Sequence, residues 1–384
     1  MTAQPHGRIL VLGGGPAGCA TAITLARAGR AVSLVERDPH PKHKVCGEFL
    51  STEALQLLQT LHVDFGKAAA QPVTTVRLAK GQDLAEAPLP FGAHSLTRRC
   101  LDSLLRQSCH EAGVDMLCGA SVDSLATVEG LWHATLSTGQ QLASHSVVLA
   151  TGKHDLRGWP RPQGRQSDLV ALKSYFRLLP TQTAELENSV ELLLHPSGYT
   201  GLQLIEDGSA NLTALVRGQR LRVLGGWAGL LSELCRTNRH AAKRLESALP
   251  VLSKPLALSS IPYGMLRREA LHDNLYAVGD QAAVIPSFTG DGMSIGLWTG
   301  IRAAQSILHA EPASVFQRKV HSALKGQLKC ATILSQGLVA GAAQSLLMAG
   351  ARAWPGTLRL TATFTRLPGR ALQETGICTT CKSA

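Results

Sequence analysis

The sequence predicts an α/β fold in which a dinucleotide-binding core is interrupted by a β-rich insert and followed by C-terminal helices. Three observations predict it. "RILVLGGGPAG" joins a short apolar run to a glycine cluster and then to an Ala-rich helical stretch. "AVSLVER" supplies a second apolar run soon after it. Far downstream, "NLYAVGD" and "GMSIGLWTGIRAAQSILHA" repeat the order of strand, turn and helix. Strands alternating with helices favour a parallel sheet.

Each element follows from its local pattern. Arg8–Leu12 is uniformly apolar after its first residue and stops at glycine, as a strand buried on both faces does. The following stretch has helical spacing and stops at Gly29, and Ala31–Arg37 is the second strand, completing a βαβ unit. Arg98–Gly113 reads as a helix ended by Gly113, and "VDMLCG" as another strand. Ser121 to Leu149, punctuated by Gly130 and Gly139, reads as a small β-meander. "LVALKSYFRL", "SVELLLH", "GLQLIEDG" and "NLTALV" are strand-like. "ATILSQGLVAGAAQSLLMAGA" is uncharged over about the length that spans a bilayer. Its Ser, Thr, Gln and Gly content favours a helix packed on the body or lining an apolar cavity.

Composition narrows the class. The chain has 384 residues, 45% hydrophobic, with Gly 37 and Pro 18, which is ordinary for a globular protein of more than one domain. "MTAQPHGRILVLGGG" lacks the apolar run of a signal peptide, so a cytoplasmic location is expected. The nine cysteines form no framework, and the lone CxxC of Cys378 and Cys381 cannot complete a tetrahedral zinc site, so no metal is expected. The net charge is +11. From Ala313 onward nine Lys and Arg stand against one acid, Glu374, an excess of +8. No nucleic-acid motif accompanies it, so nucleic acid is not an expected partner, and peripheral contact with a membrane is the lesser alternative to helices packed on the body.

The chemistry starts at Gly13, Gly15 and Gly18, which give GxGxxG. Gly13 permits the tight turn, Gly15 admits a pyrophosphate to the backbone, and Gly18, next to Ala17, lets the helix pack close to the strand. The helix N-terminus then presents its positive end to the phosphates. Glu36, followed by Arg37, closes the second strand, where an acid accepts the hydroxyls of an adenosine ribose. A second constellation, "YAVGDQAAVIPSFTGDGMSIG", holds Gly279 and Asp280 after a strand, then Gly290, Gly292 and Met293 at a helix start. A carboxylate there can bind ribityl hydroxyls, and a helix N-terminus can stabilise charge on a reduced flavin ring.

On these two motifs the chain resembles the flavoprotein superfamily of the p-hydroxybenzoate-hydroxylase-type monooxygenases, geranylgeranyl reductases and flavin-dependent halogenases. The resemblance spans roughly Arg8 to Ile307. It implies a Rossmann-like FAD-binding domain with a β-sheet substrate-binding insert and C-terminal helices. The expected FAD domain comprises 1–65, 95–165 and 255–310, the β-rich substrate domain 66–94 and 166–254, and a basic helical region 311–384. "LTRRCLD" is similar to the family's helix that brings Arg98 to the FAD phosphates or ribityl chain. "GASV" is similar to the strand whose valine, Val122, contacts adenine. "VVLATGKHDLRG" resembles the third flavin-side segment, but Thr151-Gly152 stands where the hydroxylases carry Asp-Gly. That Asp is linked with pyridine-nucleotide use, so the reductant is either NADPH or a separate reductase or ferredoxin.

"KVCGEFLS" is similar to the segment that runs beside the isoalloxazine in geranylgeranyl reductases. It implies Cys46 and Gly47 beside the flavin, with Cys46 and Glu48 as candidate catalytic groups. Lys42, His43 and Lys44 are the cations expected near Cys46, and Ser51 or Thr52 the cap of a following helix. The Trp and Pro of the reductase and halogenase substrate motifs are missing from "SGYTGLQLIEDGSANLTALV", although Tyr199 is present. The resemblance therefore implies, first, a monooxygenase acting through a flavin hydroperoxide on a small aromatic, polyketide-like or lipid-like molecule. Reduction of carbon–carbon double bonds is the alternative, and a non-catalytic flavin-binding or electron-carrier protein the third.

Overall fold

The computed structural model describes residues 7–376, so Cys378 and Cys381 lie outside the described residues. The chain begins with strand β1 (Ile9–Leu12), helix α1 (Pro16–Arg27) and strand β2 (Val32–Glu36). Then come β3 (Phe49–Ser51), α2 (Thr52–Thr60) and the long hairpin β4 (Gln71–Lys80) and β5 (Asp83–Ser95). Helix α3 (Arg98–Glu111) leads to β6 (Asp115–Cys118), β7 (Val122–Val128), β8 (Leu131–Leu136), β9 (Gln141–Ser144) and β10 (Val147–Leu149). The second β-rich stretch holds β11 (Leu169–Arg177), α4 (Pro180–Leu186), β12 (Ser189–His195), β13 (Gly198–Leu204) and β14 (Ala210–Arg217). Helices α5 (Gly218–Val223), α6 (Trp227–Thr237) and α7 (Arg239–Arg244) precede β15 (Leu249–Pro250), β16 (Leu256–Leu258), β17 (Met265–Leu266), β18 (Leu275–Ala277) and β19 (Ala283–Val284). Helices α8 (Gly292–Leu308), α9 (Ala313–Leu338), α10 (Gly341–Ala353), α11 (Gly356–Phe364) and α12 (Gly369–Gln373) close the described chain.

Two sheets position the site. The first is parallel, in the order β18-β10-β1-β2-β6. Alternate residues of β1 enter opposite clusters: Ile9 and Val11 face α1, α3 and α8, while Leu10 and Leu12 face the β7–β9 meander around Trp132. That is why the run carries no polar residue. The strand order reverses at β1, which has β2 on one side and β10 on the other, and a crevice opens at its C-terminal end. The second sheet runs β15-β11-β14-β13-β12-β4-β5-β3, with β16 joined to β11. It draws in Phe49–Ser51 and Leu256–Leu258, which lie outside the 66–94 and 166–254 segments expected to form it.

Two local expectations are corrected. Ser51 occupies the N-cap position of α2, but its hydroxyl makes no cap bond and lies 3.1 Å from that of Ser294. The uncharged stretch around 331–351 is not one helix. It breaks between α9 and α10, which meet at 107°. The side-chain amide of buried Gln344 holds the bend by donating to the carbonyls of Leu338 (2.7 Å), His195 and Gly198 (both 3.0 Å). Among the described residues no single helix is long and apolar enough to cross a membrane.

Candidate functional site

The glycines of the first loop divide by what surrounds them. A Cβ on Gly18 would stand 1.8 Å from the Gly13 carbonyl oxygen, and one on Gly13, at φ +113°, 2.3 Å from that of Ala150. Both positions are closed to any side chain. A Cβ on Gly15 would meet only the Arg98 guanidinium, at 3.7 Å. Gly15 thus faces open space beside a cation at the N-terminus of α1, and Ala17 lies buried in that first turn. This suits a pyrophosphate.

Glu36 ends β2 with its carboxylate held in place. It accepts from the backbone N–H of Gly14 (2.6 Å) and of Asp38 (2.8 Å), tying the end of β2 to the glycine loop. Arg37 is exposed and lies 3.6 Å from Asp38. The Glu36 carbonyl accepts from Gly119, three residues before half-buried Val122 at the start of β7. Arg98 opens α3 and is fixed by two bonds to Asp102 (3.0 and 3.1 Å), whose second cation is Lys44 at 3.0 Å.

Three further segments are stitched together. The Gln281 side chain donates to the carbonyls of Gly152 (2.9 Å) and His154 (3.1 Å), so the Thr151-Gly152 turn abuts the Gly279–Gln281 turn that carries part-exposed Asp280. Lys153 donates to the Val45 carbonyl at 2.8 Å. Gly47 and Gly152 have nothing within 4 Å of a built Cβ, so both stretches present bare backbone. Gly290, at φ +69°, would drive a Cβ to 2.5 Å from the Phe49 ring. Gly292, opening α8 before buried Met293, has only Ile285 near it, at 4.0 Å. Open glycines, a fixed acid, an arginine and two helix N-termini form a cradle whose donor set fits FAD. When bound, FAD supplies the redox chemistry that no side chain here can.

The segment Lys42–Glu48 departs most from expectation. Lys42 and Lys44 are engaged by Asp38 and Asp102, and His43 by Tyr175. The cations that share an electrostatic neighbourhood with Cys46 are instead Lys173 and Arg98. Glu48 is no solvated carboxylate: it is fully buried, at φ +62°. Its carboxylate lies 2.6 Å from Lys173 Nζ and accepts from Tyr175 (2.9 and 3.1 Å) and from the Arg98 N–H (2.8 Å). The Tyr175 hydroxyl also lies 2.9 Å from His43 Nδ1. Asn211, Thr213 and Gln203 bond the carbonyls of Cys46 and Gly47 from the sheet face.

Burial governs this chain of groups. It pushes the Glu48 carboxyl up against the attraction of Lys173, and the Lys173 ammonium down against that of Glu48. Burial thus works against both charges, and their mutual attraction offsets it. Burial and then Glu48 raise the Tyr175 hydroxyl, and burial lowers His43. Lys173 Nζ makes no well-directed hydrogen bond despite its ion pair, so it keeps donors to spare. Lys173 and Tyr175 were missed from sequence, and His43 was read only as a cation near Cys46. The signal was a lysine in the otherwise apolar strand "LVALKSYF".

At its other end the same sheet face is apolar: Leu169, Ala171, Leu215, Tyr199 and Tyr263 meet Leu338, Met348 and Ala351. Val45, from the Lys42–Glu48 segment, and Phe288, from the turn that leads into α8, border this cluster. The Tyr199 hydroxyl lies 3.1 Å from that of Ser287, and burial pushes the phenol up to about 12.

At the N-terminus of α8, Asp291 is buried with Gln327 and Arg366, the latter 3.4 Å away. Burial pushes its carboxyl up from 3.8 to about 6, against the pull of Arg366. A raised acid stabilises the fold below its unfolded value and loses that contribution as pH rises through the folded one. Between about pH 4 and pH 6 the protein is therefore expected to lose up to ~3 kcal/mol through this group. Urea unfolding across this range should show a flatter profile for Asp291→Asn than for the parent chain.

Known proteins place this geometry. Residues 8–191 match the model of the FAD dependent oxidoreductase family. The menaquinone reductase of Mycobacterium tuberculosis is 26% identical over 336 residues, 79% of this chain and 77% of that one. Among solved structures, the myxobacterial halogenase CndH superposes with a TM-score of 0.76 at 18% identity, covering 96% of this chain and 95% of its own. PqsL of Pseudomonas aeruginosa gives 0.73 at 18%, covering 87% and 96%. The match over residues 8–191 and these relatives agree with the flavoprotein superfamily that the glycine motifs indicated. The fold is the mixed α/β architecture of the solved halogenases and monooxygenases.

Proposed function

We propose that the chain is an FAD-dependent monooxygenase whose substrate is an oxygenated aromatic ring, phenolic or quinonoid, carrying an apolar substituent. The observation that carries this reading is the Tyr199–Ser287 hydroxyl pair set into an otherwise apolar cluster bordered by Val45 and Phe288. A pure hydrocarbon needs no such group, whereas a ring oxygen needs a fixed partner to orient it. The chain His43–Tyr175–Glu48–Lys173 supports the reading from the other side. It links a part-exposed imidazole to a fully buried ion pair, and so lets a ring hydroxyl exchange its proton without opening the site to water. Electrons would come from NADPH directly or, given Thr151 in place of Asp, from a separate reductase or ferredoxin.

A second reading is favoured by a specific observation. A relative named as a menaquinone reductase matches over three quarters of both chains, which favours the reductase alternative, with Cys46 beside the flavin. The deciding experiment begins with an anaerobic NADPH titration that follows the flavin absorbance. The reduced protein is then mixed with alkylphenols or menaquinone, with and without air, and the products are weighed by mass spectrometry. Gain of one oxygen atom only in air supports the monooxygenase. Gain of two hydrogens without air establishes the reductase instead. Tyr199→Phe is expected to lower kcat/KM for the aromatic substrate roughly tenfold, the worth of about one hydrogen bond.

A further inference from the structure

We infer that the outer face of α10 and α11 is a docking surface for an anionic lipid bilayer. The inference adds to the proposed function and rests on it only for the route by which an apolar substrate would arrive. Both helices lie on β5 and touch each other, so their remaining sides share one exposed face. That face carries Leu346 (76% exposed), Trp354 (58%), Leu360 (44%) and Phe364 (64%). Leu360 and Phe364 are one helical turn apart, and Trp354 stands at the joint between the helices. Other large apolar residues are exposed singly or in pairs, such as Ile333 and Leu249, whereas four gather on these two adjoining helices, and that concentration calls for an apolar neighbour.

Charge selects that neighbour. Exposed Arg352 and Arg359 flank the apolar residues, and the sequence has no Asp or Glu between Glu311 and Glu374. Asp83, 2.5 Å from Arg352, brings an acid to this face from outside. Apolar and aromatic residues rimmed by arginine match the acyl boundary and phosphate layer of an anionic membrane. The inner sides of the same helices, through Leu347, Met348, Ala351 and Leu358, pack into the apolar cluster around Tyr199 and Tyr263. The two helices are therefore a single layer between the bilayer and the candidate substrate wall.

The test uses the full chain and needs no substrate or turnover, so its failure is separable from failure of the proposed reaction. Vesicles of phosphatidylglycerol and phosphatidylcholine in equal parts, or of phosphatidylcholine alone, are sedimented with the protein at low and high salt. Sedimentation with the anionic vesicles is expected, weakened by salt and reduced roughly tenfold or more by Leu346→Ser/Trp354→Ser/Phe364→Ser. These positions are exposed, so the variant keeps its fold and its bound flavin reports this. Arg352→Gln/Arg359→Gln should weaken binding to the anionic vesicles. Failure of the parent chain to sediment with them overturns the inference, as does equal sedimentation of the triple variant. Light scattering that shows a dimer dissolved by the triple variant also overturns it, assigning the face to a second copy of the chain.

Discussion

A Gly15→Val protein is expected to fold normally and to lose its FAD. The space beside Gly15 is empty of protein apart from the Arg98 guanidinium at 3.7 Å, so the valine meets no wall and the fold pays little. That space is where a pyrophosphate must approach the backbone N–H groups at the start of α1. Occupying it should raise the FAD dissociation constant about 100-fold or more, equivalent to ~3 kcal/mol. Gly18→Val provides the contrast. Its Cβ would lie 1.8 Å from the Gly13 carbonyl and 3.2 Å from Ala150 Cβ, so α1 must back away from the sheet and stability itself falls. Urea unfolding and the flavin-to-protein absorbance ratio separate the two cases. A Gly15→Val protein that keeps a full complement of FAD would show that the phosphates bind elsewhere.

Removing the lysine of the buried pair is expected to cost about as much. In Lys173→Met, Glu48 is left at zero exposure with Tyr175 and the Arg98 N–H as its remaining partners. Breaking a buried ion pair from one side typically costs about 3–5 kcal/mol. The variant also acquires a pH dependence whose sign is fixed. Without Lys173 the Glu48 carboxyl, already raised by burial, rises further. A raised acid loses its stabilising contribution as pH increases, so the variant should be more stable near pH 5 than near pH 8. The double variant Glu48→Gln/Lys173→Met removes both charges and should recover most of the loss. If the single and double variants unfold at the same urea concentration at both pH values, the pair does not act as a buried ion pair.

The two predictions differ in how readily the sequence revealed their residues. Gly13, Gly15 and Gly18 were legible because their spacing marks a turn from strand to helix, although Ala150 and Arg98, distant in sequence, form part of their surroundings. Glu36 was legible because its partners Gly14 and Asp38 belong to the same βαβ unit. Tyr175 meets Glu48 across a separation of 127 residues, through the register of a nine-stranded sheet that no local pattern encodes. Cys46 was flanked in sequence by Lys42, His43 and Lys44, but Lys42 is engaged by Asp38, four residues before it, and His43 and Lys44 by the distant Tyr175 and Asp102. Charge near a residue in sequence says little once the chain can choose among distant partners. The break between α9 and α10 was hidden similarly, because Gln344 is polar in sequence and buried in the fold.

The bonds around Asp291 have a consequence for how the molecule is made. The N-terminus of α8 is completed by Arg366, which reaches Asp291 and the Thr289 carbonyl, and by Gln327, which also bonds the Thr365 carbonyl. The indole of Trp298, midway along α8, donates to the Ala371 carbonyl at 2.8 Å. A ribosome finishes these partners long after it has released the glycine loop. A nascent chain therefore carries its phosphate-binding turn early but leaves the flavin-side helix start unsupported until residues near 366 emerge. A chain cut short before Arg366 is expected to leave the start of α8 without the bonds from that residue.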